Sequence, residues 1–520
     1  MPADDNPDLP DKRARRPASP RTARKPKPEK DPGLRGLASW SIWAVLLVTL
    51  LLGAGAVWGA YVGVGELVEV DTEAGITPAQ RITAAFAVAT AVGVLVALVV
   101  NLRRQDVAEQ STKREFDAVF TGRFASAAAQ LGGTSPAERI AGVYAMAALA
   151  DEHPTRRQQC VDVLCGYLRL PFDPATDYLA DTSTTTTQVF HNGRTVVEHE
   201  KPASKPFDQQ VRETVITVVR EHTQQLALPS WSHLNFNFAG SHLHNLDLDG
   251  SHFRGRHTKF EDVTFSGRRT EFRGTYFDGD FTSFRRAKFA AGQTRFVEAA
   301  FSGERTSFHG AAFSGEHTSF NRAAFSGRDT SFDWATFSAE HTAFNRATFS
   351  GKDTRFDGAM FSGKDTRFGR ARFLGKYTSF DGATFSGEFT SFANATLAGQ
   401  TTSFDRAKFS GKTTSFYEAV ISGEYASFDG ATFSGEYLSF DEATFSGEYA
   451  SFEGARIYGQ TTSFDGATFC ANRSRTSGVT VSFDGVIRPE HDTKITGLAN
   501  PQLNDGASVT RDGHSFHGWD

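Results

Sequence analysis

Fifteen histidines and three cysteines are the residues of this chain best suited to metal or nucleophilic chemistry, and their spacing does not gather them. Cys160, Cys165 and Cys470 match no zinc-ligand pattern. Three cysteines write no disulfide framework, which suits a reducing compartment. His309, His317 and His341 occupy variable corner or outward places and read as surface decoration. No Gly-rich phosphate loop with a lysine occurs, and no nucleophile–base arrangement can be singled out. Ser-Gly recurs after many phenylalanines, but catalytic residues are not normally copied down a chain. The sequence therefore names no catalytic, cofactor-binding or metal-binding residue, and an enzyme is the least supported class.

The chemistry that remains is charge. The whole chain carries a formal net charge of −5. Residues 258–377 contain 19 Lys/Arg and 14 Asp/Glu, a net of +5, while 378–473 contain 5 and 12, a net of −7. Within the acidic stretch, Glu424, Asp429, Glu436, Asp441, Glu442 and Glu448 form a candidate docking surface for a basic partner, with a merely solvated face as the plainer reading.

These residues are positioned by a repeat. From Phe260 to Phe469 a twelve-residue unit recurs eighteen times. One phenylalanine series starts at Phe260 and includes Phe308, Phe356, Phe404 and Phe464; a second starts at Phe265 and includes Phe313, Phe361, Phe409 and Phe469. Only Leu397, Ile421 and Ile457 interrupt them. A period this short means a solenoid whose units bury apolar surface by stacking. Alanine or threonine usually precedes the aromatic by two, as in Ala311–Phe313 and Thr318–Phe320, so both face inward from an extended backbone. The residue between them varies freely (Lys288, Ser319, Arg355, Thr384) and faces out. Glycine follows one aromatic by two (Gly303, Gly315, Gly327, Gly351), where a tight corner would want a permissive backbone. The phenylalanines read as core, each worth ~1.5–3 kcal/mol on burial.

Just upstream, Phe238, Leu243, Leu248 and Phe253 are spaced by five. With the Ala/Thr-x-Phe words that follow, this resembles the pentapeptide-repeat family over about residues 236–469. The resemblance implies a mainly β, right-handed quadrilateral β-helix. Two extra residues in every second corner depart from the basic pattern and predict twenty-four residues per coil, about ten coils in all, and a rod of roughly 45–50 Å. The rival is a flatter solenoid with one twelve-residue unit per coil.

Ahead of the rod, residues 1–37 form a proline-rich basic tail expected to be disordered. Residues 38–64 and 82–102 read as transmembrane helices joined by a short acidic external loop, 65–81. The basic flanks place the N-terminus and the β-helix in the cytoplasm, with the chain multi-pass in the cell membrane. Residues 103–170 predict a helical adapter: Phe116, Val119, Phe120 and Phe124 at helical spacing, then Ser135-Pro136-Ala137-Glu138 as a helix start and Ile140, Val143, Tyr144, Ala147 and Ala148 as its apolar stripe. A third helix over 156–168 turns Cys160, Val163, Leu164 and Tyr167 inward. Residues 171–206 read as a polar loop with a short hairpin over 188–197, 207–230 as a capping helix, 231–473 as the β-helix, and 474–520 as an irregular tail. This order is similar to membrane-anchored pentapeptide-repeat proteins of high-GC Gram-positive bacteria.

The expected function is a non-enzymatic, membrane-anchored scaffold whose rigid cytoplasmic rod engages a protein partner, with no cofactor. Lipid is contacted through the two spans, and homo-oligomers remain open. Some members of the resembled family act on topoisomerases by mimicking duplex DNA. Mimicry needs continuous negative charge; the rod as a whole is nearly neutral, and its acidic stretch 378–473 keeps a DNA-mimicking regulator of a topoisomerase as the second reading. Nucleic acid is not an expected partner. An exported ice- or surface-binding solenoid is the third reading.

Overall fold

A computed structural model describes residues 78–175 and 207–469, isolated helical positions between 51 and 62, and short strands at 187–191, 194–198, 480–482, 494–496, 502–503, 508–511 and 514–515. The chain divides into two compact units, Met1–Asp117 and Ala118–Asp520. In the first, the basic tail, nearly all of the first expected span and the acidic part of its loop lie outside the described residues. Helix α1 runs Pro78–Leu131 and includes the second expected span. Over the described residues alone, no helix is long and apolar enough to cross a membrane, so the expected transmembrane hairpin is not found there. Many side chains of α1 between 82 and 114 lie outside that description.

The second unit is dominated by a right-handed parallel β-solenoid of about ten coils with four faces. Strands pair in parallel with the strand twenty-four residues on: Thr282 with Thr306, Phe289 with Phe313, Thr294 with Thr318, Phe301 with Phe325. This settles the coil in favour of two units per turn and removes the flatter rival. Each coil visits four faces in order. Face one carries strands such as Phe281–Ser283, face two Lys288–Phe289, face three Gln293–Arg295 and face four Ala300–Phe301. The plain five-residue words at Phe238, Leu243, Leu248 and Phe253 build the first coil, all buried. There the offset is twenty-two on faces one and two, as in Leu243 with Phe265, and twenty-four on face four.

The interior is a stack of rings. Phe260, Phe265, Phe308, Phe313, Phe356, Phe361, Phe404, Phe409 and Phe464 are at most 1 % exposed; the side chain of Phe469 lies outside the described set. Rings twenty-four residues apart are nearly parallel, 4.8 Å apart for Phe260–Phe284 and 4.7 Å for Phe308–Phe332. Members of the first series on faces one and three meet edge to face across the middle, as Phe308 and Phe320 do at 5.6 Å and 90°. Both geometries suit the ring quadrupole. The alanines and threonines two residues before the rings are buried as expected.

The glycine column has a different cause from the one expected. Gly303, Gly315, Gly327 and Gly351 do not adopt positive φ. A Cβ at Gly351 would lie 1.9 Å from the Gly327 carbonyl oxygen of the preceding coil. Close stacking of coil on coil is what excludes the side chain. Positive φ falls instead two residues after each first-series ring, at Asp262, Arg286, Trp334 or Gly382, in turns closed by bonds such as Ala311 N–H to Phe308 O, 2.9 Å.

Helices α2 (Pro136–Glu152), α3 (Arg157–Leu168) and α4 (Asp208–Thr223) cover the start of the rod. Phe120 is buried, but Phe116 and Val119 are exposed, so the expected stripe on α1 is narrower than read. Ser135 precedes α2 with proline at its start, yet its hydroxyl makes no capping bond. Tyr144 and Ala148 face out; Val143, Met146, Ala147 and Ala150 face in. The hairpin is present as Thr187–His191 against Arg194–Glu198. Helix α4 ends on the first coil: Gln224 bridges Ser251, and its side-chain amide donates to Asp249 O at 3.0 Å. Beyond Phe469 the sheets continue. Thr480–Ser482, Lys494–Thr496 and Gln502–Leu503 pair with Tyr449–Ser451, Thr461–Ser463 and Thr468–Phe469. Ser508–Arg511 extends face one again and turns back antiparallel onto His514–Ser515. Phe483 and Ile487, two residues that mark a last coil in the sequence, lie outside the described residues.

Candidate functional site

The six acidic residues picked out by sequence do not form one surface. Glu424 and Glu448 precede the face-one strands Tyr425–Ser427 and Tyr449–Ser451, and Asp429 lies in the turn after the first of these. Glu436, Asp441 and Glu442 flank the face-three strand Tyr437–Ser439. Phe428 and Phe440, which carry the two turns, meet across the interior at 5.9 Å. The set is therefore split three and three between opposite faces.

Face one gathers a different acidic column. Asp333, Asp357, Asp381, Asp405, Asp429 and Glu453 each follow a first-series ring in successive coils. Asp357, Asp381, Asp405 and Asp429 accept the hydroxyls of Ser379, Ser403, Ser427 and Ser451 in the next coil. Asp429 also accepts the Glu453 N–H at 3.0 Å. Burial pushes the Asp357 carboxyl above its ordinary value, and the neighbouring charges of Asp333 and Asp381 add to this, against the Ser379 hydrogen bond. Beside the column, Tyr425 and Tyr449 stack at 5.2 Å. The signal for this column was in the sequence, but only on reading every second repeat.

The joint between α4 and the first coil holds a cavity of about 190 Å³ lined by Phe172, Arg212, Arg220, His242, His244 and Asp247, among others. Its charged groups are occupied. Arg212 bonds Asp208 at 2.6 Å and the carbonyls of Leu168 and Leu170, and stacks on Phe172 at 4.4 Å. Arg220 pairs with Asp247 at 2.9 Å, and the two imidazoles share the Ser266 hydroxyl. Asp208 is the hub of this region, since buried Arg139 and the Tyr167 hydroxyl also bond it. These groups lock α2, α3 and α4 to one another. Sequence reading missed Asp208, whose partners lie far away along the chain.

Cys160 and Cys165 are buried thiols pushed up by burial to about 11 and about 12, so neither is a thiolate nucleophile at neutral pH. Cys470 lies outside the described residues. His309, His317 and His341 stand on the rod surface, where His317 and His341 stack at 5.0 Å and His341 Nδ1 meets Asp365 at 2.9 Å. Among the described residues no group of three His, Cys, Asp or Glu is placed to hold a metal ion. No family model, no curated protein and no solved structure matches this chain. The geometry itself, four flat faces around a filled interior, is consistent with a pentapeptide-repeat β-helix.

Proposed function

We propose that this chain is a non-enzymatic scaffold, tethered to the inner side of a cell membrane, whose rod offers rigid walls to a protein partner. The observation that carries the reading is the continuous interior of stacked rings, which leaves side chains free to vary only on the outer walls. A rigid, pre-ordered wall loses little conformational entropy on binding. For the tether, residues Ile82–Leu102 contain no Asp, Glu, Lys or Arg, and their described side chains Val94, Leu98 and Val100 are exposed, as lipid-facing side chains would be. Trp40–Val64 supplies a second apolar stretch in the sequence.

The test has two arms. Alkaline extraction of membranes should leave the full chain in the bilayer fraction; release into the supernatant would overturn the tether. Cross-linking in intact membranes should then capture a basic protein on face one. Reversing Glu424, Asp429 and Glu448 to lysine should abolish that specific product, and an unchanged pattern would remove face one as the docking wall.

A further inference from the structure

Over six coils the turn column on the corner between faces three and four reads Arg322, Arg346, Arg370, Asn394, Glu418, Glu442, with Glu298 before these and Gly466 after. All six have φ between 52° and 58°, so they project from the same place in the same kind of turn. Each N–H bonds a carbonyl of the next coil, as Arg346 does to Gly369 O at 2.9 Å and Glu418 to Asp441 O at 2.9 Å. The column is therefore straight, with one residue for each coil spacing of 4.7–5.0 Å seen in the rings behind it.

Over two coils on either side its charge pattern inverts about Asn394. One coil before is Arg370 and one coil after is Glu418; two coils before is Arg346 and two after is Glu442. In the flanking column Gly369 stands one coil before and the exposed Tyr417 one coil after, then Asn345 before and Asp441 after, so no like charges oppose there. Such an order is what a two-fold axis through Asn394 requires of a self-complementary surface. A basic partner of another kind would need only the acidic half. The corresponding column between faces one and two shows no such inversion, being largely glycine: Gly310, Gly358, Gly382, Gly430, Gly454.

Two further facts favour a second copy. Arg346 and Arg370 are exposed like charges in adjacent coils, and neither has a carboxylate within ion-pair distance among the described residues. Near the axis, face four is almost uncharged, presenting Leu374, Thr396, Ala398 and Val420 beside the single cation Arg372.

We infer that two copies of this rod associate side by side and antiparallel through this corner, with the two-fold axis at Asn394. Arg370 of each copy meets Glu418 of the other, Arg346 meets Glu442, and the Tyr417 ring lies against Gly369. The contact is electrostatically selected and weakens with salt. The inference goes beyond the tethered scaffold, and its failure would leave the membrane reading intact, because neither extraction nor cross-linking of another protein depends on it.

The test uses the full chain with Cys470→Ser and Asn394→Cys. A cysteine on the axis lies near its own symmetry mate, so mild oxidation should give a covalent dimer, and Gly382→Cys, on the other corner, should not. Arg346→Glu with Arg370→Glu should lower the linked fraction about tenfold or more, as should Glu418→Arg with Glu442→Arg. Mixing these two variants should restore linkage between them. Combining all four reversals in one chain should restore it within a single species, which also shows that the charges are not needed for folding. No covalent dimer from Asn394→Cys, equal linkage from Gly382→Cys, or linkage indifferent to the reversals would overturn the inference.

Discussion

At the residue scale, two kinds of glycine do different work in this rod. Gly351 is held by the carbonyl stacked beneath it, whereas Gly382 is held by φ of 63° with nothing within 4 Å of an added Cβ. Gly382→Ala should therefore cost about 1 kcal/mol, the ordinary cost of a left-handed alanine. Gly351→Ala should cost more, about 1–3 kcal/mol, because the coils must part to admit the methyl. Ala291 and Ala339 stand in the equivalent column on the opposite corner, so a methyl in such a place is accommodated by a shift rather than forbidden. Chemical denaturation of the two variants gives the comparison. Asp357 makes a separate test. Its carboxyl sits above the ordinary value in the fold, so its ionised form is disfavoured there relative to the unfolded chain. That penalty is present above the folded value and is relieved as pH falls through it. Asp357→Asn keeps an oxygen acceptor for the Ser379 hydroxyl and loses the charge. It should stabilise the rod at neutral pH by on the order of 0.5 kcal/mol, with the gain shrinking in acid; a gain independent of pH would refute the cause given.

At the element scale, the rod and its helical cover are stabilised by different means. Within the rod each ring touches rings of its own face and of others, so damage should stay local. Phe344→Ala should cost about 3–5 kcal/mol and Phe344→Asp more, with hydrogen-exchange protection lost in the adjoining coils and kept in distant ones. In the cover, Asp208 holds two buried guanidiniums and a phenol. Asp208→Ala strands both cations and should cost about 3–5 kcal/mol, read as lost protection in α2, α3 and α4 while the middle of the rod stays protected. This contrast explains what the sequence disclosed. The ladders repeat, so Phe260 and Phe265 announce their successors and their facing. Coil length is harder, since twelve or twenty-four residues keep every ring inside; the difference between alternate units, such as Asp333 against Asn345, carries it. The purpose of Gly351 was hidden because its constraint is a contact with another coil. Asp208, Arg139 and Tyr167 have no periodicity to connect them, and the stripes on α1 and α2 were misjudged at Phe116 and Tyr144 because apolar residues were counted without knowing which side had a neighbour.

At the scale of the whole molecule, the uniform pitch makes the rod modular. Removing residues 333–356 deletes one complete coil and should leave a shorter, cooperative rod with the same four faces. Removing six residues breaks the alternation of corners and should unfold the coils around the junction. Circular dichroism and limited proteolysis distinguish the two outcomes; equal damage from both deletions would argue against coil-wise stacking. The half-coil is the informative case. Because the ring series on faces one and three are interchangeable, gaining or losing one twelve-residue unit leaves the interior filled while turning every later wall to the opposite side. A single in-frame slippage in the gene could thus re-aim a binding surface without a point mutation, so lineages of this protein are free to explore new partners by rotation before they explore them by chemistry.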